Sequence, residues 1–418
     1  MPFYVLQLYD EWLDFRIAEL ISLFKMHSLD WTKCVVTDYG LIYAKHIIDS
    51  LPEVSSSSVC SYLSEDTDKK NFHVIHVPSE GTIRSICSRS VLIKHVYELW
   101  GMAASLSDLV ALVADHNCIN AHPYLSDGSL SWSISINTFG KTLSMSEKQL
   151  YRSNFRCLDF KGPVSLDEPM LQLFLCLDFS NIDRGGSSSS SSSVHSDDCE
   201  ALQGERSNTE SKQALNGTGS SLPCYFGRLV CDGGMKEACR KYDLKKRFYL
   251  GPTTLDDSLA LILANLSRVS TDMLVYDPFV GTASILIALT HFGAMCFGSD
   301  IDTRVLRGEM YAGSHKGQKT GQETRRDIFE NFKRYNLPAP ELIRMDNHVF
   351  DRHIILQSNG TNTTSETTNC CTMVSSGTAG SANDNSQGLF DAIVTDPPYG
   401  IRAGAKKSGT YYSIILSR

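Results

Sequence analysis

Near the end of the chain, Asp396-Pro397-Pro398-Tyr399 sets a carboxylate, two residues without an N–H and an aromatic ring side by side. The preceding run, Phe390-Asp391-Ala392-Ile393-Val394-Thr395, predicts a strand. Proline cannot donate to a sheet ladder, so two in succession end the strand and hold the next carbonyl in place. The turn then presents its groups at the carboxyl end of a strand, where open α/β sheets carry their chemistry. A planar amine can stack on Tyr399 while Asp396 and the Pro397 carbonyl accept its hydrogens. Held that way, the amine loses conjugation with its ring and its lone pair can attack.

A second constellation supplies what the amine would attack. Met273-Leu274-Val275-Tyr276 predicts a short buried strand, Asp277-Pro278-Phe279-Val280-Gly281-Thr282-Ala283-Ser284 a turn, and Ile285 to Phe292 an apolar helix. Gly281 allows the backbone to turn tightly against a ligand. A further strand, Met295-Cys296-Phe297, ends at Gly298-Ser299-Asp300-Ile301-Asp302. An acid about 20 residues beyond a glycine turn suits a ribose diol. The G-x-G-x-x-G of pyrophosphate dinucleotide sites is missing. S-adenosylmethionine has a ribose and no phosphate, and fits better. Asp277, Pro278, Phe279, Gly281 and Thr282 form the candidate cofactor turn, with Asp300, or as second choice Asp302, on the ribose.

Together these stretches resemble the catalytic subunit of the tRNA (guanine-10-N2)-methyltransferase family. The match runs from about Tyr225 to Ala405 and is carried by Phe226-Gly227-Arg228, Lys241 to Arg247, Tyr276 to Thr282, Gly298 to Asp302 and Thr395 to Arg402. A weaker match, Trp132-Ser133-Ile134 through Phe139-Gly140 and Leu158 to Gly162, resembles that family's N-terminal ferredoxin-like and THUMP regions. The resemblance implies an α/β fold: a Rossmann-like class I methyltransferase sheet preceded by an α+β ferredoxin-like/THUMP RNA-binding region. It also implies methyl transfer to the N2 amine of a tRNA guanine, an adenine contact from Asp346, and Thr253 and Thr254 near the cofactor's amino-acid end. A small zinc-binding activator subunit is implied as partner. The family usually has Gly where this chain has Ala283, a change expected to crowd the methionine end of the cofactor.

The formal charge of −8 argues against wholesale coating of nucleic acid, so RNA contact must come from local patches. One candidate is Arg240, Lys241, Lys245, Lys246 and Arg247. The other is Arg402, Lys406 and Lys407, directly after the catalytic tetrad. The N-terminus does not read as a signal peptide, and no apolar run is long enough to span a bilayer, so a cytoplasmic protein is expected. The 13 cysteines lack a C-x-x-C pair, which favours reduced thiols over a metal site.

Composition divides the chain into residues 1–183, an RNA-binding region; 184–222, a Ser-rich linker; and 223–418, the catalytic domain, with a polar insertion at 357–388. Within the first region Phe3 to Leu8 predicts a strand. Asp14 to Phe24 predicts a helix, with Phe15, Ile17, Leu20, Ile21 and Phe24 toward a core. Val91 to Trp100 and Ala103 to Ala114 predict helices. His73 and His76 read as packed histidines in a strand-like run, Phe72 to Val77. Asp396 is followed by 22 residues, whereas one helix and three further strands would take roughly 70 to 100. The sheet is therefore expected to be incomplete, with the tetrad's strand an open edge. Two alternative readings stay open: another amino-methyltransferase, acting on ribosomal guanine N2 or DNA adenine N6, and an RNA-binding fragment without activity.

Overall fold

A computed structural model of the chain describes residues 2–36, 70–103, 105–114, 122–179, 222–252, 254–309, 326–347, 389–398 and 416–417. Two compact units emerge. The first comprises Met1–Arg16, His27–Ser88 and Leu92–Gly233, the second Ile17–Met26, Arg89–Val91 and Gly234–Arg418.

The first unit is built on a six-stranded sheet of β1 (Phe3–Leu8), β2 (Phe72–His76), β3 (Ile93–Ala103), β4 (Trp132–Phe139), β5 (Leu171–Asp178) and β6 (Cys224–Asp232). Their order is β2-β1-β3-β6-β5-β4, antiparallel throughout except for the parallel pair β4 and β5. Helices α2 (Glu80–Arg89) and α3 (Leu106–Ala114) lie in this unit except for Arg89, whereas α1 (Arg16–Met26) falls, after its first residue, in the second. Two differences from the sequence reading stand out. Residues 91–100, predicted as helix, lie mostly in β3, which is paired on both sides. Burial on both faces erases the alternation that marks a strand, and what remains imitates a buried helix. The stretch 223–233, assigned to the catalytic domain, completes the first unit's sheet, because β6 fills the gap between β3 and β5. His73 is buried and its pKa is pushed down to about 4 by that burial, as a packed histidine's should be.

In the second unit four parallel strands, β7 (Leu274–Asp277), β8 (Met295–Asp300), β9 (Glu341–Arg344) and β10 (Ala392–Ile393), are joined by the antiparallel β11 (Leu416–Ser417), in the order β11-β10-β7-β8-β9. The expected open edge at β10 is thus paired, Ala392 with Ser417 and Ile393 with Leu416. Helices α4 (Lys236–Tyr242), α5 (Asp257–Leu266), α6 (Ser284–His291), α7 (Thr303–Leu306) and α8 (Ile328–Tyr335) complete the unit. Every residue of α6 from Ser284 to Thr290 is buried, which accounts for its lack of a polar face. On α8, Ile328, Phe332 and Tyr335 recur at helical spacing and join the same core as Val275, Leu286 and Ala392.

Residues of α1 and the end of α2 are tied to this unit by a buried polar network. The fully buried Glu19 carboxylate accepts from Ser90 Oγ at 2.7 Å, Val91 N at 3.0 Å and Asn265 Nδ2 at 2.7 Å. Arg89 Nε donates to Asn265 Oδ1 at 2.9 Å, and its guanidinium lies 3.8 Å from the centre of the Phe292 ring. A buried carboxylate survives only with such partners.

Gly298 sets the distance between β8 and the turn after β7. A β-carbon there would lie 2.7 Å from Val280 Cγ2 and 3.0 Å from Leu286 Cδ1. Gly298→Ala should therefore destabilise the second unit by about 1–3 kcal/mol through overpacking, measurable as a lower denaturation midpoint. An unchanged midpoint would show that Val280 and Leu286 can yield.

Candidate active site

Each of the four parallel strands ends in an aspartate or is followed within three residues by one. Asp277 and Asp300 are the last residues of β7 and β8, and Asp346 and Asp396 lie just beyond β9 and β10. Because β8 and β10 flank β7 on opposite sides, the chain reverses its direction of travel at β7. The crevice at the carboxyl ends of β7 and β10 is the topological switch point of the sheet.

The turn after β7 is shaped by its own carboxylates. Phe279 N donates to Asp277 Oδ1 at 3.0 Å and Gly281 N to Asp300 Oδ2 at 3.0 Å, while Asp302 N donates to Asp300 Oδ1 at 2.9 Å. Gly281 has φ +51°, a region that favours glycine. Phe279 stands 40 % exposed on the turn. Asp300 therefore sits against the turn with a carboxylate whose lone pairs exceed the two amides it accepts, which suits a diol. Asp302 is committed elsewhere: it caps α7 through Arg304 N and holds the Arg304 guanidinium at 3.0 and 2.7 Å.

Ala283 adopts φ +65°, ψ 32° and is fully buried in the core shared with Leu286 and Val275. Its methyl is thus part of the apolar core, and the expected crowding of the cofactor is replaced by a conformational cost of about 1–2 kcal/mol for a left-handed residue with a β-carbon. Thr254 Oγ1 lies 2.9 Å from Thr282 Oγ1 and accepts from Gly251 N at 2.9 Å. The structure thus brings Thr254 and Thr282 together. Asn331 of α8 anchors the approach to them, accepting from Phe248 N and Tyr249 N. Thr253 and Tyr399 lie outside the described residues, as do Arg402, Lys406 and Lys407. Pro397 is half-buried and Pro398 exposed.

Two ties that the sequence reading missed run outward from the end of β7. Tyr276 Oη donates to Asn347 Oδ1 at 2.9 Å and lies 2.7 Å from Ser299 Oγ, while Asn347 Nδ2 donates to the Pro278 carbonyl. The residue after Asp346 is thereby fastened to the turn. On the other side Thr395 Oγ1 donates to Asp277 Oδ1 at 2.7 Å. The one signal available in sequence was adjacency, since Thr395 and Asn347 each touch a singled-out aspartate.

Asp277 is almost wholly buried, and burial pushes its carboxyl up to about 7. Thr395 and the Phe279 amide favour the charged form, and the neighbouring charges of Asp300 and Asp396 oppose it. An acid whose folded pKa exceeds its ordinary 3.8 keeps its proton in the native state while the unfolded chain loses it. Its contribution to stability therefore falls as pH rises from about 4 to about 7, by up to ~1.4 kcal/mol per pH unit. Asp277→Asn should lose that slope. Denaturation measured across this range should show the variant gaining on the wild type up to about pH 7 and levelling off above it; parallel curves would refute the buried acid.

Arg247, counted above among RNA-binding residues, does not belong there. It is 2 % exposed, its guanidinium donating to Ser284 Oγ and to the Tyr242 carbonyl. A basic run straddling a core boundary turns one member inward, and phosphate cannot reach it. Arg240, Lys241, Lys245 and Lys246 are exposed.

Sequence comparisons agree with this architecture. Residues 43–191 match the family described as Tmrp11 THUMP N-terminal domain, and residues 245–416 match the RMKL-like methyltransferase domain. The tRNA (guanine(10)-N(2))-methyltransferase TRMT11 of Gallus gallus is 30% identical over 90% of this chain, which covers 69% of that relative. The chain belongs to the tRNA (guanine(10)-N(2))-methyltransferase family. Its Homo sapiens member is 29% identical over 91% of this chain, with 70% of the relative covered. The Schizosaccharomyces pombe member is 27% identical over 97%, again with 70% covered. Among the described residues, no helix of this family member is long and apolar enough to cross a membrane.

Proposed function

We propose that this chain transfers a methyl group from S-adenosylmethionine to the exocyclic N2 amine of guanine 10 in tRNA. The observation that carries the reading is the placement of Asp396, directly after Thr395, at the switch point beside the Asp277–Thr282 turn. The cofactor supplies an electrophilic methyl group on a sulfonium. Asp300 holds the ribose hydroxyls, and Asp277, Pro278, Phe279, Gly281 and Thr282 shape the turn around it. Asp346 takes the adenine amine, and Thr253 and Thr254 face the amino-acid end. A rim of carboxylates also favours a cationic donor. On the acceptor side Asp396 and the Pro397 carbonyl accept the hydrogens of the guanine amine, with Tyr399 stacked on the base and Pro398 stiffening the turn. The bound donor would supply its methyl group to the amine nitrogen and leave as the neutral thioether, and Asp396 would take the proton released. Orientation supplies most of the acceleration.

The first unit would bind the tRNA, with exposed Arg240, Lys241, Lys245 and Lys246 of the second unit on phosphates, joined by Arg402, Lys406 and Lys407. Residues 357–388 serve as an insertion, whereas 184–222, expected as a linker between domains, connect the paired strands β5 and β6 and so belong to the first unit. A cytoplasmic location and a small zinc-binding activator subunit complete the reading. A monodisperse, fully active enzyme purified without that subunit would remove it from the account.

Replacing guanosine 10 with inosine tests the acceptor chemistry, because inosine lacks the N2 amine. Labelled methyl transfer should disappear with that transcript. Undiminished transfer would place the methyl group elsewhere.

A further inference from the structure

The ladder between β7 and β10 ends before the catalytic tetrad begins. Ala392 pairs with Val275 and Ile393 with Tyr276, and Val394 N donates to the Tyr276 carbonyl at 3.0 Å. Beyond that point Pro397 and Pro398 bring no N–H, so the backbone cannot carry the register forward. The side chain of Thr395 takes over, its Oγ1 donating to Asp277 Oδ1 at 2.7 Å. That same oxygen accepts the Phe279 amide at 3.0 Å. One carboxylate oxygen, on a residue only 1 % exposed, thus fastens the segment bearing the acceptor carboxylate to the turn that would face the methyl donor.

We propose that Thr395 is a positioning residue for the acceptor side: through Asp277 it fixes Asp396 relative to the Pro278–Thr282 turn, so that the target amine and the methyl donor meet in line. The inference rests on the methyl-transfer reading above. Tyr276 and Asn347 form the counterpart on the cofactor side, since they tie the residue after Asp346 to the same turn. The two halves of the site are therefore registered separately from neighbouring residues of one strand, and their disturbance should read out differently. Losing a hydroxyl at position 395 shifts the acceptor carboxylate and leaves the cofactor turn with its own ties to Asp277 and Asp300.

The test compares Thr395→Val, which keeps the shape and deletes the donor, with Thr395→Ser, which keeps the donor. In the full chain, Val should lower kcat about 10- to 100-fold, as a small misplacement of a reacting group does. Cofactor Kd and the KM for tRNA should stay within a few-fold. Ser should restore most of kcat. Hydrogen exchange at the amides of Thr395 and Asp396 should quicken in the Val variant and remain normal in the Ser variant, with matching thermal midpoints. Wild-type kcat and exchange in the Val variant would overturn the proposal. So would a loss of cofactor affinity parallel to the loss of kcat, which would mean that Thr395 acts through the cofactor turn. If the wild type transfers no methyl group to tRNA, the methyl-transfer reading fails. The exchange comparison then still decides whether Thr395 holds the segment.

Discussion

Asp396→Ala should lower methyl transfer by about 10²- to 10⁴-fold, the range that a positioned proton acceptor supplies, while cofactor affinity stays within a few-fold. The asymmetry follows from the sheet. Asp396 follows β10, whereas Asp300 ends β8 and the Pro278–Thr282 turn follows β7, held by hydrogen bonds in which Asp396 takes no part. Removing Asp396 takes away the acceptor for the guanine amine's hydrogens and leaves that framework standing. Steady-state kinetics with calorimetric titration of the same preparation separates the two effects. Near-normal turnover would end the assignment of Asp396.

Asp300→Ala should do the reverse. Both of its oxygens accept backbone amides, from Gly281 on the β7 turn and from Asp302 at the start of α7. The substitution therefore removes the ribose acceptor and loosens the turn that surrounds it. Losing charge-assisted hydrogen bonds of this kind costs about 1.5–3 kcal/mol, or about one to two decades in cofactor Kd. Asp302 is a poor substitute, because its carboxylate is engaged by Arg304. Unchanged affinity by calorimetry would remove Asp300 from the ribose.

What the sequence made legible was local. Strand β7, its glycine turn, helix α6 and strand β8 follow one another within 27 residues, Leu274 to Asp300, and each has a run length and a terminator that mark it. β1 was equally plain, since its six residues match the predicted Phe3 to Leu8. Failures came where burial or distance removed the local signal. β3 is covered on both faces and reads as a helix. β6 looks like the opening of the catalytic domain because it is near it in sequence, yet its partners β3 and β5 lie far upstream. Arg247 is charged like its neighbours and differs only in facing Ser284. The bond between Thr395 and Asp277 joins residues 118 apart, and no spacing rule announces it. The candidate residues were readable from motif chemistry, and the side chains hydrogen-bonded around them, Thr395, Tyr276 and Asn347, were not.

In the proposed reaction the four strand ends converge on a guanine amine and a methyl donor. Nucleoside mapping by mass spectrometry, on an unmodified tRNA transcript incubated with the chain, its proposed zinc-binding partner and S-adenosylmethionine, tests it most directly. N2-methylguanosine should appear at position 10 and be lost with Asp396→Ala. Methylation at another base or atom, or at position 10 by the Asp396→Ala variant at the wild-type rate, would contradict it.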